Sequence, residues 1–150
     1  MKKKVFWVGL VVLFACSEGE QEDMSAAERN ILNFAEAYFN YDFQQASELI
    51  TPESRPWIRF AASNLSQDDL DILNHRESGT TVELGEMSII NDTTISAQIF
   101  VENYYKADSI DNPVVATDET EVFTLTAVRR DKQWLVRMEA LPKNERHSLD

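Results

Sequence analysis

One thiol, two imidazoles and scattered acids, tyrosines and tryptophans are the side chains of this sequence that bear on chemistry. Cys16 is the only cysteine. As its thiolate it is a nucleophile, open to acylation, and with no second cysteine it closes no internal disulfide. His75 sits in Asn74-His75-Arg76-Glu77, where an expected helix ends and a cation suits the helix dipole. His147 lies in a polar tail. Asp42 has the reach of a general base, yet the same position suits a helix N-cap whose carboxylate is spent on backbone amides. Asp68, Asp69 and Asp71 lack the spaced oxygens and glycine of a calcium loop and fit the acidic first turn of a helix better. No zinc set, glycine-rich phosphate loop or Ser/His/Asp elbow is legible. The sequence therefore assigns no catalytic residue, no metal and no cofactor.

The segment that positions Cys16 is more specific. Lys2, Lys3 and Lys4 precede an uncharged apolar run from Val5 to Ala15. A basic flank, a short apolar run and a small residue before the cut are the parts of a secretory signal. Eleven helical residues rise only about 16 Å, whereas a hydrocarbon core of about 30 Å needs roughly 20. A spanning helix is thus disfavoured. An ordinary secreted protein would keep a lone thiol in an oxidising compartment. Leu13-Phe14-Ala15-Cys16 resembles the lipobox of bacterial lipoproteins. That resemblance implies a signal peptide over 1–15, cleavage before Cys16, and diacylation of its thiol with palmitate-like chains. Two or more chains hold a protein firmly at a membrane, at about 0.8 kcal/mol per buried methylene. Ser17 after the cysteine resembles the outer-membrane sorting pattern, so a lipid-anchored body on the outer membrane of the cell envelope is expected.

The chain carries 14 basic and 26 acidic residues, a net charge of −12. Loss of three lysines with the signal brings this to about −15, a balance that favours solubility and excludes nucleic acid, whose phosphates need Lys and Arg. Residues 16–24 are acidic and without apolar period. They read as a solvated tether, or as the acidic stretch that some Gram-negative lipoproteins use as a surface-export signal. Residues 25–141 form one domain, and 142–150 a polar, fraying tail.

Ser25 and Glu28 make a capping box before Ile31, Phe34, Ala35, Tyr38 and Phe39, whose spacing predicts a helix over 26–40. Asp42 opens a second, short helix with Phe43, Ala46, Leu49 and Ile50 inward. Thr51-Pro52 starts a third, over 53–64, and Ser66 a fourth with Leu70 and Leu73 inward. From Thr80 the period falls to two. Val82, Leu84, Met87 and Ile89 follow one strand with a bulge at Gly85. Ile95, Ala97, Ile99, Val101 and Tyr105 share a face of the clearest strand, over 94–105. Phe100 and Tyr104 take the other face, and Asn103 interrupts the apolar one. A loop over 107–118 leads to a strand over 119–130 and, after a charged turn, to Trp134, Val136 and Met138.

The fold class is α+β: N-terminal helices packed on a curved antiparallel sheet of about four strands. Ala35–Ala46, Leu49-Ile50-Thr51-Pro52-Glu53 and Arg129–Val136 resemble stretches of the nuclear transport factor 2-like superfamily, and in particular its small bacterial lipoproteins. The resemblance implies a cone with a pocket at its open end. Tyr38, Trp57, Phe60, Tyr105 and Trp134, with Asn103 as a polar group, are the candidate pocket residues, together with Phe100 and Tyr104. Their spacing is equally that of plain core, and Asn103 equally suits a bulge or rim. Asp92-Thr93-Thr94 and Asp108-Ser109-Ile110 resemble an O-glycosylation motif of Gram-negative envelope proteins, on Thr93 and Ser109.

These readings lead to an envelope protein held to the membrane through lipidated Cys16. It would bind a small ligand in the cone or a protein partner on the sheet, without catalysis. The alternative is an isomerase- or cyclase-like enzyme with an acid–base group in the cone. A homodimer through the sheet is expected to use Phe100 and Tyr104. Intact mass of the membrane-extracted protein, beside Cys16→Ser, tests the anchor. A chain beginning at Cys16 with added acyl mass, lost in the variant, is the expected result.

Overall fold

The computed structural model describes residues 17–107 and 113–145. The signal, Cys16, Ser109 and His147 lie outside the described residues. Four helices precede the sheet: α1 (Ser17–Phe39), α2 (Phe43–Ser47), α3 (Arg55–Ser63) and α4 (Gln67–Asn74), with a 3₁₀ turn at Pro52–Ser54. Six strands follow: β1 (Thr81–Asn91), β2 (Thr94–Glu102), β3 (Tyr105–Lys106), β4 (Val115–Ala116), β5 (Glu121–Arg130) and β6 (Gln133–Arg137). The main sheet is antiparallel in the order β1-β2-β5-β6, and β3 pairs with β4 in a separate ribbon. This is the expected α+β arrangement, with four antiparallel strands behind N-terminal helices. Among the described residues no helix is long and apolar enough to cross a membrane.

One apolar face of the sheet makes the core. Ile95, Ala97, Ile99 and Val101 of β2 are buried, as are Phe123, Leu125 and Ala127 of β5 and Trp134 and Val136 of β6. The stripe Ile31, Phe34, Ala35, Tyr38 and Phe39 of α1 covers them, four of its members fully buried. A helix with one apolar stripe and a sheet with one apolar face each need such a partner. Gly85 lies in the expected irregularity of β1, between Leu84 and Met87. A Cβ there would come within 2.6 Å of the Phe100 ring, so the close approach requires glycine. At the β5–β6 turn Asp131 and Lys132 take φ of 51° and 66°, the left-handed pair of a tight hairpin.

Several expectations need correction. The helix does not begin at Ser25 but runs back to Ser17, through the stretch read as a tether. Gln21, Glu22 and Met24 are good helix formers. Asp23 is tied down, accepting from Trp134 Nε1 at 2.8 Å and from Arg129 Nη1 at 2.8 Å. Leu70 is 40% exposed, because α4 buries Leu73 and Asp69 instead. The 107–118 stretch contains β4, and residues 142–145 fold back over the sheet. Asn144 Oδ1 accepts from the Val122 amide, and Thr124 donates to Glu145.

The outer edge of β6 is covered by residues 49–51. Thr51 N donates to Val136 O at 3.0 Å and Val136 N to Leu49 O at 2.9 Å. The buried hydroxyls of Thr51 and Ser54 pair at 2.6 Å, and Ser54 Oγ takes the Met138 amide at 2.8 Å. Asp69 is 3% exposed. Its carboxylate accepts the Ser66 amide at 2.8 Å, closing a capping box, and the Val114 amide at 2.9 Å. The Ser66 bond, with smaller help from Val114 and against the cost of burial, holds its pKa below the ordinary carboxylate value. A depressed folded pKa contributes stability that is present above the unfolded value, about 4, and is lost as pH falls through the folded one. Asp69→Ala should therefore cost about 1.5–3 kcal/mol at neutral pH. The gap to wild type should shrink as pH drops below about 4; urea unfolding across pH measures both.

Candidate functional site

The aromatic end of α1 decides where a site can form. α1 closes with Tyr41 N donating to Tyr38 O at 3.0 Å and Asp42 N to Ala37 O at 2.8 Å. This reverse turn needs a left-handed residue after the helix, normally glycine. Here it is Tyr41, with φ 64°. Asp42 then caps α2, its Oδ1 accepting the Gln45 amide at 3.1 Å. That bond gives its carboxylate the structural role of the two the sequence allowed. His75 is the C-cap of α4, its Nδ1 2.7 Å from Asp71 O.

The end of β2 supplies the opposite wall. Asn103 is left-handed, φ 55°, and exposed, in the bend between β2 and β3, and it is not a pocket group. Its carbonyl accepts from Thr80 Oγ1 at 3.0 Å. Thr80 is in turn gripped by Asn40, whose Oδ1 takes its amide at 2.9 Å and whose Nδ2 gives to its carbonyl at 3.1 Å. The left-handed step inverts the strand alternation. Tyr104, expected on the outer face as a dimer contact, turns inward against Phe39 and Phe123, with centroids 5.3 and 6.0 Å away. Tyr105 turns out of the cavity. It pairs with Ala116, and its carbonyl accepts the Tyr41 hydroxyl.

Between these walls lies a cavity of about 620 Å³. Tyr38, Tyr41, Phe43, Tyr104 and Phe123 face it from α1, the turn, α2 and the sheet. Ala61 and Asn64 close the α3 side, and Leu141 to Asn144 the side of the returning tail. The rings brace one another: Tyr38 lies 5.6 Å from Phe43, and Tyr41 stacks on Tyr104 at 6.4 Å and 13°. Burial pushes the phenols of Tyr38, Tyr41 and Tyr104 above their ordinary value. Crowding by neighbouring tyrosines adds to this for Tyr38 and Tyr104, while hydrogen bonds partly offset it for Tyr41. All three therefore stay protonated hydrogen-bond donors at neutral pH.

The charged lining residues are Lys106, Glu121 and Lys143. Glu121 is 5% exposed, and its Oε2 is buried with no hydrogen-bond partner among the described residues. The cavity thus offers ring faces, phenolic donors and one uncommitted carboxylate oxygen. That set can enclose an apolar body and orient a polar end.

Of the expected pocket residues Tyr38 and Tyr104 line the cavity. Trp57 is half-buried against the core edge, in a T-shaped contact with Phe60, which is 51% exposed. Trp134 is core, its indole donated to Asp23. Thr93 is exposed in the β1–β2 turn. Glu121 was legible by parity: it sits two residues before Phe123 and opposite Val101, both inner-face positions. Phe43 was legible as the first inward residue of the second helix, whereas Tyr41 carried no such signal, because a left-handed tyrosine at a helix end is not written in any period.

The inward turn of Tyr104 depends on the backbone of Asn103. Asn103→Gly should leave the Tyr104 ring resonances in place. Asn103→Val should cost about 1–2 kcal/mol, the penalty of a left-handed non-glycine residue, and shift those resonances; urea unfolding and aromatic NMR read the two effects. No protein-family profile matches this chain, and no curated protein matches it.

Proposed function

We propose that this chain is a binding module of the cell envelope, anchored through lipidated Cys16, that holds a small ligand in the cavity between α1, α3 and the sheet. The observation that carries the reading is the cavity itself. It has a volume of about 620 Å³, five aromatic residues in its walls and a few polar groups beside them. These are the attributes of small-molecule sites, which range over about 300–1,000 Å³. Tyr41, a non-glycine residue held left-handed, lines it, and Asn103, also left-handed, directly precedes its wall residue Tyr104. Such strain, about 1–3 kcal/mol each, gathers at ligand clamps. The arrangement of helices on a four-stranded sheet, with a cavity at the aromatic end of α1, suits the cone of the nuclear transport factor 2-like proteins. The anchor is supported by Lys2 to Lys4, the apolar run and the position of Cys16.

A second reading, an acid–base enzyme, takes its support from Glu121 and three protonated phenols sharing one cavity. Incubation of a bound probe followed by NMR separates the two. An unchanged probe fits a binding module, and new product resonances fit an enzyme.

The direct test is a titration with 2-phenylethanol. It should shift the ring resonances of Tyr38, Tyr41 and Tyr104. At a free concentration 100-fold above Kd it should raise stability by about 2.7 kcal/mol. Ala61→Phe, which fills the α3 side, should abolish the shifts. Saturation without movement of these rings would refute the reading.

A further inference from the structure

We propose that the ligand carries a protonated amine, and that Glu121 receives it. The inference rests on the binding role given above and names the chemistry of the bound molecule. A carboxylate is almost never fully buried unless paired, and leaving it unpaired is costly. Glu121 Oε2 is buried and unpartnered among the described residues, in a side chain that lines the cavity. It points from the start of β5, opposite Val101, on the face that the aromatic cluster shares.

The surroundings favour a cation. Tyr38, Tyr41, Phe43, Tyr104 and Phe123 line the same space. Ring faces carry negative quadrupole charge and attract an ammonium within about 6 Å. An ammonium also brings hydrogen-bond donors, which is what Oε2 lacks, and a charge-assisted bond is among the stronger ones. A neutral ligand would supply a weaker partner, and an anion would meet the charge of Glu121, the only acid among the lining residues. The two lysines there do not satisfy Oε2. Lys143 is exposed, and Lys106 is half-buried with an interaction of its own. The ligand class is therefore an alkyl- or arylammonium whose apolar body lies among the tyrosines.

Three probes of one shape test this on the full chain: 2-phenylethylamine, 2-phenylethanol and 3-phenylpropionate at pH 7, by calorimetry with tyrosine-ring NMR. The amine should bind about tenfold tighter than the alcohol, and the acid weakest. Glu121→Gln should abolish the tenfold preference for the amine over the alcohol. Equal affinity of amine and alcohol for the wild type would overturn the ammonium proposal while the cavity reading stands. Failure of all three to move the cavity rings would overturn both. Should Glu121→Gln not fold, the wild-type ranking alone decides.

Discussion

The contact between the apolar stripe of α1 and the inner face of the sheet governs everything else in this domain. Ile31, Phe34, Ala35, Tyr38 and Phe39 lie on the face built by β2, β5 and β6. Each large side chain so buried contributes about 1.5–3 kcal/mol. With no second cysteine to staple the chain, that contact and its extensions must offset the entropy of ordering. The direction of α1 on the sheet also fixes which end is sealed and which stays open. Trp134, with its indole donated to Asp23, packs near the start of the helix. Its last turn and the reversal after it deliver Tyr38, Phe39, Tyr41 and Phe43 to the other end.

At that open end the packing stops short of filling space. α1 ends abruptly because Tyr41 reverses the chain, and β2 ends because Asn103 does the same. Both reversals send aromatic rings toward one volume, where Tyr41 stacks on Tyr104 beside an open space. Polar links hold these reversals: Asn40 to Thr80 and Thr80 to Asn103, and separately Tyr41 to the Tyr105 carbonyl. A site braced in this way is rigid before anything enters it, which lowers the ordering cost of binding.

Periodicity made most of the scaffold legible. The 3.6 spacing of Ile31, Phe34, Ala35 and Phe39 and the two-residue spacing of Ile95 to Val101 found the right faces, and Gly85 marked the real irregularity of β1. What escaped was whatever depends on a single backbone step or on a distant partner. Asn103 was read as interrupting a face, whereas its left-handed backbone inverts the alternation at the next two residues, so Tyr104 and Tyr105 exchanged roles. The acidic segment before Met24 had no apolar period, yet a carboxylate 111 residues from its indole partner ordered it. Trp57 and Phe60 belong to a helix whose buried face is set by Ile58 and Ala61, small enough to leave the cavity open rather than close it.

The mutual dependence of α1 and β6 also sets an order of assembly. Asn30 Nδ2 donates to the Trp134 carbonyl, Asp23 receives the Trp134 indole and the Arg129 guanidinium, and Ile50 bridges to Val136. The first helix therefore has no complete surface to lie on until the last strand has been made. Contacts this far apart in sequence close late and slowly, because the loop entropy comes due before the contact is rewarded. A chain emerging from the ribosome therefore cannot complete this packing until β6 has been made.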